Sequence, residues 1–336
     1  MDLILFIPLV VSFLISLFFV PYWIKKAKQT GLIWKDMNKL NRQPVAGSGG
    51  IIVVLAFIVG VFIFVAYRTF YLDTDIYAVE IFATISSVLL LAGIGLVDDL
   101  LGWRSGGLTI RSRIILIILA SVPLIVINAG RSEISLPLVG AISLGQIYPL
   151  ILIPLGIVGA TTTFNILAGF NGLEAGQGVI LLSALSLVAF LTGNSWLAIV
   201  ALCMIAALLG FMAYNFYPAR VFPGDSLTYA VGGLIAIMAI LGNFEKLAVA
   251  FYIPYIIEAV LKSRGRLVKY SFGKPNENGA LDLRYDQIYS LNHAGIYLLK
   301  KMGLPAMEKN VVYLIWAFQI VVIALAFLLF GRSVLP

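Results

Sequence analysis

Three stretches of this chain concentrate carboxylates, amides and glycines in otherwise apolar surroundings. The first is VDDLLGWR, residues 97–104, where an apolar run ends on Asp98 and Asp99, with Arg104, Arg111 and Arg113 following. The second is NILAGFNGLEAGQG, residues 165–178, and the third is VFPGDS, residues 221–226. Asp98, Asp99 and Asp225, with the carbonyl oxygens of Asn165 and Asn171, form a hard oxygen donor set. Such a set suits Mg²⁺, which is held by one or two carboxylates and completed by substrate phosphates. Adjacent helical residues point about 100° apart, so Asp98 and Asp99 have different jobs. One can face the metal or a nucleophile while the other orients a lysine or arginine.

Other chemistries are excluded by what is missing. His293 is the only histidine and Cys203 the only cysteine, so neither a zinc site nor an intramolecular disulfide is available. No Walker A, GxGxxG, HExxH or GxSxG motif occurs, which excludes a P-loop ATPase or a serine hydrolase of familiar design. Plainer readings stand beside the functional ones. The acid pair can solvate a helix end, although a carboxylate there opposes the helix dipole. The glycines can form an ordinary turn, and Asp225 can simply N-cap the next helix. Phe222 can stack on a base or anchor at the interface. His293 can touch a phosphate or lie on a helix face.

The elements that position these residues are membrane helices. The chain of 336 residues is 61% hydrophobic and 12% charged, against about 25% charged in soluble domains. Apolar runs of about 18 residues or more recur along it. We read an all-α polytopic membrane protein forming one domain over residues 1–336. Its ten expected transmembrane helices are 3–23, 50–67, 79–97, 113–129, 148–166, 178–193, 196–213, 226–242, 246–262 and 311–330. The first run lacks a basic leading region and carries its positive charges behind it, unlike a removable signal. Loops after odd-numbered spans hold 19 of the 23 lysines and arginines. The positive-inside rule then puts those loops in the cytosol and both termini outside. Residues 130–146 read as a small extracytosolic hairpin. The loop 263–310 is expected to hold a small sheet and a helix near its end. All the polar clusters fall on cytosolic loops, so chemistry at the inner interface is expected. The net charge of +7 belongs to these loops and points to lipid headgroups, with no nucleic acid partner.

DDLLGWR, NILAGFNGLEAGQG and VFPGDS, in this order at the cytosolic ends of spans 3, 5 and 7, resemble the polyprenyl-phosphate N-acetylhexosamine-1-phosphate transferases. KDMNK, PVAGSGG and GKPNENGALDL extend the likeness over nearly the whole chain. The NILAGFNGLEAGQ wording is most similar to the archaeal and eukaryotic branch that uses UDP-GlcNAc and dolichyl phosphate. The resemblance implies ten spans with both termini outside, and Mg²⁺ (or Mn²⁺) as cofactor. It also implies the reaction: transfer of GlcNAc-1-phosphate from UDP-GlcNAc to dolichyl or polyprenyl phosphate, with release of UMP. By the same likeness Asn165 and Asp225 are the metal ligands, and Asp98 and Asp99 the acids needed for turnover. Asn171 reads the uracil edge and Phe222 stacks on the ring. Lys39, Arg104, Arg111 and Arg113 neutralise the phosphates, with Arg111 or Arg113 as the pyrophosphate clamp. The basic loop-9 run of eukaryotic relatives and the histidine-rich motif of the bacterial branch are both missing. RLVKYSFGKPNENG stands there instead, offering Arg266, Lys269, Lys274 and Asn276 to the sugar. Val45 stands where relatives can carry an acid.

The expected location is the plasma membrane, or an ER-type membrane, with the active site on its cytosolic face. The expected partners are UDP-GlcNAc, the polyprenyl phosphate and the bilayer, and a homodimer is compatible with the sequence. The expected role is the first membrane step of glycan assembly, N-glycans above all. The competing reading is a secondary transporter or flippase of a phosphorylated lipid or solute. It calls for polar groups at mid-bilayer and two related halves, and the spans offer few of the former and none of the latter.

Overall fold

The computed structural model describes residues 3–136 and 140–334 of an almost wholly helical chain. In order the helices are α1 (Phe6–Thr30), α2 (Gly50–Phe70), α3 (Ala78–Ser105), α4 (Ile110–Ala120), α5 (Val122–Val126), α6 (Ile153–Ile166) and α7 (Leu173–Leu191). They continue as α8 (Ser195–Asn215), α9 (Gly224–Gly242), α10 (Glu245–Phe251), α11 (Ile253–Arg264), α12 (Leu291–Lys301) and α13 (Glu308–Val334). Three antiparallel strand pairs decorate the loops: β1 (Ile33–Lys35) with β2 (Pro44–Ala46), β3 (Glu133–Leu136) with β4 (Gly140–Ser143), and β5 (Lys274–Pro275) with β6 (Leu281–Asp282). The last two pairs and α12 match the expected hairpin and the expected content of the long loop. The first pair was not anticipated.

Among the described residues eight helical segments are long and apolar enough to cross a membrane. The expected spans 113–129 and 246–262 are instead broken helices. α4 and α5 part at Ser121, ahead of Pro123, and α10 and α11 part at Tyr252, ahead of Pro254. Proline lacks an N–H and clashes with the preceding turn, so each break falls where the sequence demands it. At the second break the Phe251 carbonyl accepts a hydrogen bond from Gln319 Nε2 on α13 at 2.8 Å, which satisfies a backbone group that lipid could not.

Two boundaries differ from expectation in ways that matter for the site. α3 does not stop at Val97 but runs through both acids to Ser105, ending at Gly106 with φ +89°. Its exposed Leu100 and Leu101 continue the apolar face past Asp98 and Asp99. α7 starts at Leu173, so Glu174 to Gly178 are helical and the loop proper is only 167–172.

α9 is the axis of the bundle, buried almost without interruption from Ser226 to Ile240. α3, α6, α2 and α7 pack around it. Small residues allow the approach. A Cβ on Gly95 of α3 would run into the Asp225 backbone, and one on Gly50 of α2 into that of Leu227. These two glycines bring α2 and α3 against the first turn of α9, and with it bring Asp98 and Asp99 to Asp225. Gly95→Val is therefore expected to cost about 1–3 kcal/mol of stability through overpacking, and to abolish turnover by forcing the acids apart. Thermal unfolding in detergent and an activity assay check this. Wild-type turnover in the variant would show that the close approach is not needed.

Candidate active site

The acids meet at the head of α9. VFPGDS hangs on the segment 46–50 through three backbone hydrogen bonds: Phe222 N to Ala46 O (2.8 Å), Gly49 N to Phe222 O (2.9 Å) and Gly50 N to Pro223 O (2.9 Å). PVAGSGG thus forms the backing of the third motif. Gly224 has φ +71°, and a Cβ there would collide with the Asp99 carboxylate, so this turn requires glycine. Asp225 sits inside the first turn and does not cap the helix. The cap comes from α3: Asp99 Oδ1 accepts from Asp225 N at 2.8 Å and Oδ2 from Ser226 N at 3.4 Å. These are two of the four N–H groups that a helix start leaves without a partner.

Asp98, 2% exposed, is engaged differently, as adjacent helical positions require. Arg113 Nη2 donates to its Oδ1 at 3.1 Å, and Arg113 Nε lies 2.6 Å from Oδ2. Leu108 N donates to Oδ1 at 2.7 Å and the Tyr229 hydroxyl to Oδ2 at 3.2 Å. Asp225 has no such company. Its carboxyl interacts with the charges of Asp99, Asp98 and Arg113. Three carboxylates thus share one nearby guanidinium. Thr228 ties Asn165 to this corner, its hydroxyl lying 2.9 Å from Asn165 Oδ1 and 3.3 Å from Asp225 O. Asp225 and Asn165 both face an open cavity. This surplus of buried negative oxygen fits a hard divalent cation. Among the described residues no three carboxylate, imidazole or thiolate side chains form a ready-made cage. Ligation here would need amide and phosphate oxygens as well.

Two cavities of about 540 and 550 Å³ flank Asn165, and Ala168, Gly169 and Phe272 line both. The first has apolar walls, Ile110, Ile114, Val158 and Ile166 among them, studded with Arg113, Lys262 and Lys269. The second is aromatic and polar, with Trp34, Trp103, Phe222, Asp36 and Asp225.

The loop 167–172 between them is held by side chains, three of them from distant parts of the chain. Asn292 Nδ2 donates to Ala168 O (3.1 Å) and Asn38 Nδ2 to Gly169 O (2.9 Å). Glu174 accepts from Gly169 N (2.8 Å), and Glu308 accepts from Asn171 N (2.8 Å). Buried backbone groups are almost always paired, and here side chains do it. Asn38 also accepts from Gly273 N at 3.1 Å, joining the first and ninth expected loops. Removing it in Asn38→Ala leaves the Gly169 carbonyl and the Gly273 N–H without this partner. A loss of about 1–3 kcal/mol is expected, read as a lower thermal midpoint in detergent. An unchanged midpoint would mean that the loop holds itself.

Asp98, Asp99, Asn165, Asp225 and Arg113 are brought together, and Phe222 lines the second cavity. Other expected site residues lie elsewhere. Asn171 is buried, with its Nδ2 donating to Asp36 at 3.1 Å. Lys39 pairs with Glu308 and lies 4.0 Å above the Tyr217 ring. Arg111 and Lys274 are exposed, and the side chain of Arg104 lies outside the described residues. Asn276 builds the turn between β5 and β6, accepting from Ala280 N at 3.0 Å. His293 is on the helix face. Its Nδ1 accepts from Tyr289 N (3.4 Å), and its Nε2 faces Phe272 O (3.3 Å) as a donor. Burial pushes its pKa below the ordinary value. Trp34, Asp36, Tyr229 and Lys262 were not singled out from sequence. For Asp36 the signal was available, since it lies inside KDMNK.

Comparison with known proteins gives the family. Residues 81–243 match the model of glycosyl transferase family 4. A Saccharolobus solfataricus protein, provisionally designated UDP-N-acetylglucosamine–dolichyl-phosphate N-acetylglucosaminephosphotransferase, is 36% identical over 96% of both chains. The Dictyostelium discoideum protein of that name is 28% identical over 71% of this chain and 66% of its own. A phospho-N-acetylmuramoyl-pentapeptide-transferase of Halalkalibacterium halodurans is 27% identical over 80% of this chain and 86% of its own. With its acids gathered at the head of one buried helix and likeness running nearly end to end, the chain belongs to glycosyl transferase family 4.

Proposed function

We propose that this enzyme transfers GlcNAc-1-phosphate from UDP-GlcNAc to dolichyl or another polyprenyl phosphate, giving GlcNAc-diphospho-lipid and UMP. The observation that carries the reading is the pair of unlike cavities meeting beside Asn165, with three carboxylates at the junction. An apolar cavity with cationic side chains suits a phosphate on a lipid tail. An aromatic, polar cavity suits a nucleotide, with Phe222 and Trp34 offering rings to a base. A phosphate oxygen of the lipid attacks the β-phosphorus of the nucleotide sugar. The bridging oxygen leaves with UMP. A lipid phosphate is already largely ionised at neutral pH, so positioning and charge neutralisation outweigh base strength.

Asp225 and Asn165 would hold Mg²⁺, or Mn²⁺, which when bound neutralises the diphosphate. Asp99 fixes the head of α9 and therefore the direction of Asp225. Asp98 orients Arg113 toward the lipid cavity. On this reading the two broken helices count as spans, making ten, with both termini outside and the site on the cytosolic face of the plasma or ER-type membrane. The chain then acts as one domain at the first membrane step of glycan assembly, N-glycans above all.

The test is UMP release by the purified protein, supplied with a panel of UDP-sugars, one polyprenyl phosphate and Mg²⁺. UDP-GlcNAc is expected to be the preferred donor. Release from UDP-MurNAc-pentapeptide alone would move the chain to the bacterial chemistry. Substrate uptake into sealed vesicles without UMP would establish the transporter reading instead.

A further inference from the structure

The segment that follows α11 closes one side of the lipid-type cavity, and its other side faces outward. Residues 265–272 are folded back on the end of α11. Leu267 N donates to Lys262 O at 3.0 Å, and Lys262 Nζ donates to Lys269 O at 3.1 Å and also to the Ser271 hydroxyl. Lys269 is drawn inward over the Tyr285 ring at 4.9 Å. Arg266 and Leu267 have φ of +53° and +61°, a region side chains other than glycine seldom occupy. The fold holds them there, and the result is an unusual outer surface. Leu267, Val268 and Tyr270 are 58, 72 and 63% exposed, and Leu267 and Tyr270 also border the lipid-type cavity. Arg264 and Arg266 flank them, also exposed, and neither enters an ion pair among the described residues.

This surface continues a lipid-facing one. Ile253, Ile256, Ile257 and Val260 of α11 are all exposed, as a helix bordered by acyl chains would have them. Ile110, which lines the same cavity, is 63% exposed. An apolar tip with unpaired arginines at the end of a lipid-facing helix has the chemistry of an interfacial anchor: apolar groups enter the acyl boundary and cations meet phosphate headgroups.

We propose that residues 264–270 are a membrane-interface anchor that binds anionic phospholipid, with Leu267 and Val268 inserted and Arg264 and Arg266 on the headgroups. The anchor seats the mouth of the lipid-type cavity in the leaflet. It is a lipid contact separate from the acids, and it stands whether or not the proposed reaction is right.

The experiment uses the full chain in nanodiscs and needs no turnover. Val268→Cys is labelled with an environment-sensitive fluorophore; Cys203, the other cysteine, is buried. Blue-shifted emission, quenched by brominated acyl chains, is expected. Emission typical of water, unaffected by brominated lipid, overturns the proposal. Retention of phosphatidylglycerol over phosphatidylcholine is then compared for wild type and R264Q/R266Q. Each basic residue at an anionic surface is worth about a factor of five in partitioning, so the pair is expected to lose up to about thirtyfold of that preference. An unchanged preference removes the arginines from the anchor. Both substitutions lie on the exposed surface, and a wild-type thermal midpoint confirms that the fold is kept.

Discussion

Asp225→Asn is expected to leave a protein that folds at least as well as the wild type and turns over about 10²–10³-fold more slowly, or worse. The two effects have one cause. Asp99 caps the turn that carries Asp225, and Asp98 beside it on α3 is paired with Arg113, so three carboxylates meet around one cation and repel one another. An amide relieves that repulsion and removes the charge that would attract a divalent ion. The readouts are UMP release and the thermal midpoint with and without Mg²⁺. A ligand that binds only the folded state raises the midpoint by mass action. Mg²⁺ should therefore stabilise the wild type and leave the variant unmoved. Equal Mg²⁺ stabilisation of both proteins would remove Asp225 from the metal site, whatever happens to turnover.

Arg113→Met should be the most destabilising single change at the site. Asp98 is buried and Arg113 faces it with two nitrogens. Deleting one partner of a buried pair strands the other charge, at a cost of about 3–5 kcal/mol. The lower end is expected here, because the Arg113 side chain is 32% exposed. Asp98→Asn in the same chain should recover much of that loss, since no stranded charge remains, while activity stays low. Thermal unfolding of the two single variants and the double variant forms the cycle that isolates the coupling. If the double variant is no more stable than Arg113→Met, the ion pair is not what holds α4 to α3.

Much of this arrangement was legible in the sequence because it is local. The spans announce themselves by length and apolar content. The acids of VDDLLGWR and VFPGDS announce themselves by being charged at the ends of such spans. What escaped was of two kinds. Helix breaks at Pro123 and Pro254 lie inside runs that are apolar enough to pass for straight spans, and composition does not register a missing N–H. The supports of the loop 167–172 are single polar residues such as Asn38, Asn292 and Glu308, with no spacing pattern, whose partners lie more than a hundred residues away. Asn171 shows the reverse. It reads as a ligand-facing amide, yet its Nδ2 is occupied by Asp36.

The wiring of that loop bears on any attempt to miniaturise the enzyme. The stretch that matches the family model, 81–243, contains Asp98, Asp99, Asn165 and Asp225. A fragment cut to those limits would keep the three clustered acids and lose Asn38, Asn292 and Glu308. Its glycine loop would face the two cavities with bare amides and carbonyls. Such a truncation should express as a membrane-inserted but incompetent core. Restoring it would take the first loop, α12 and the last helix supplied together, as a split protein whose outer pieces complement the middle one.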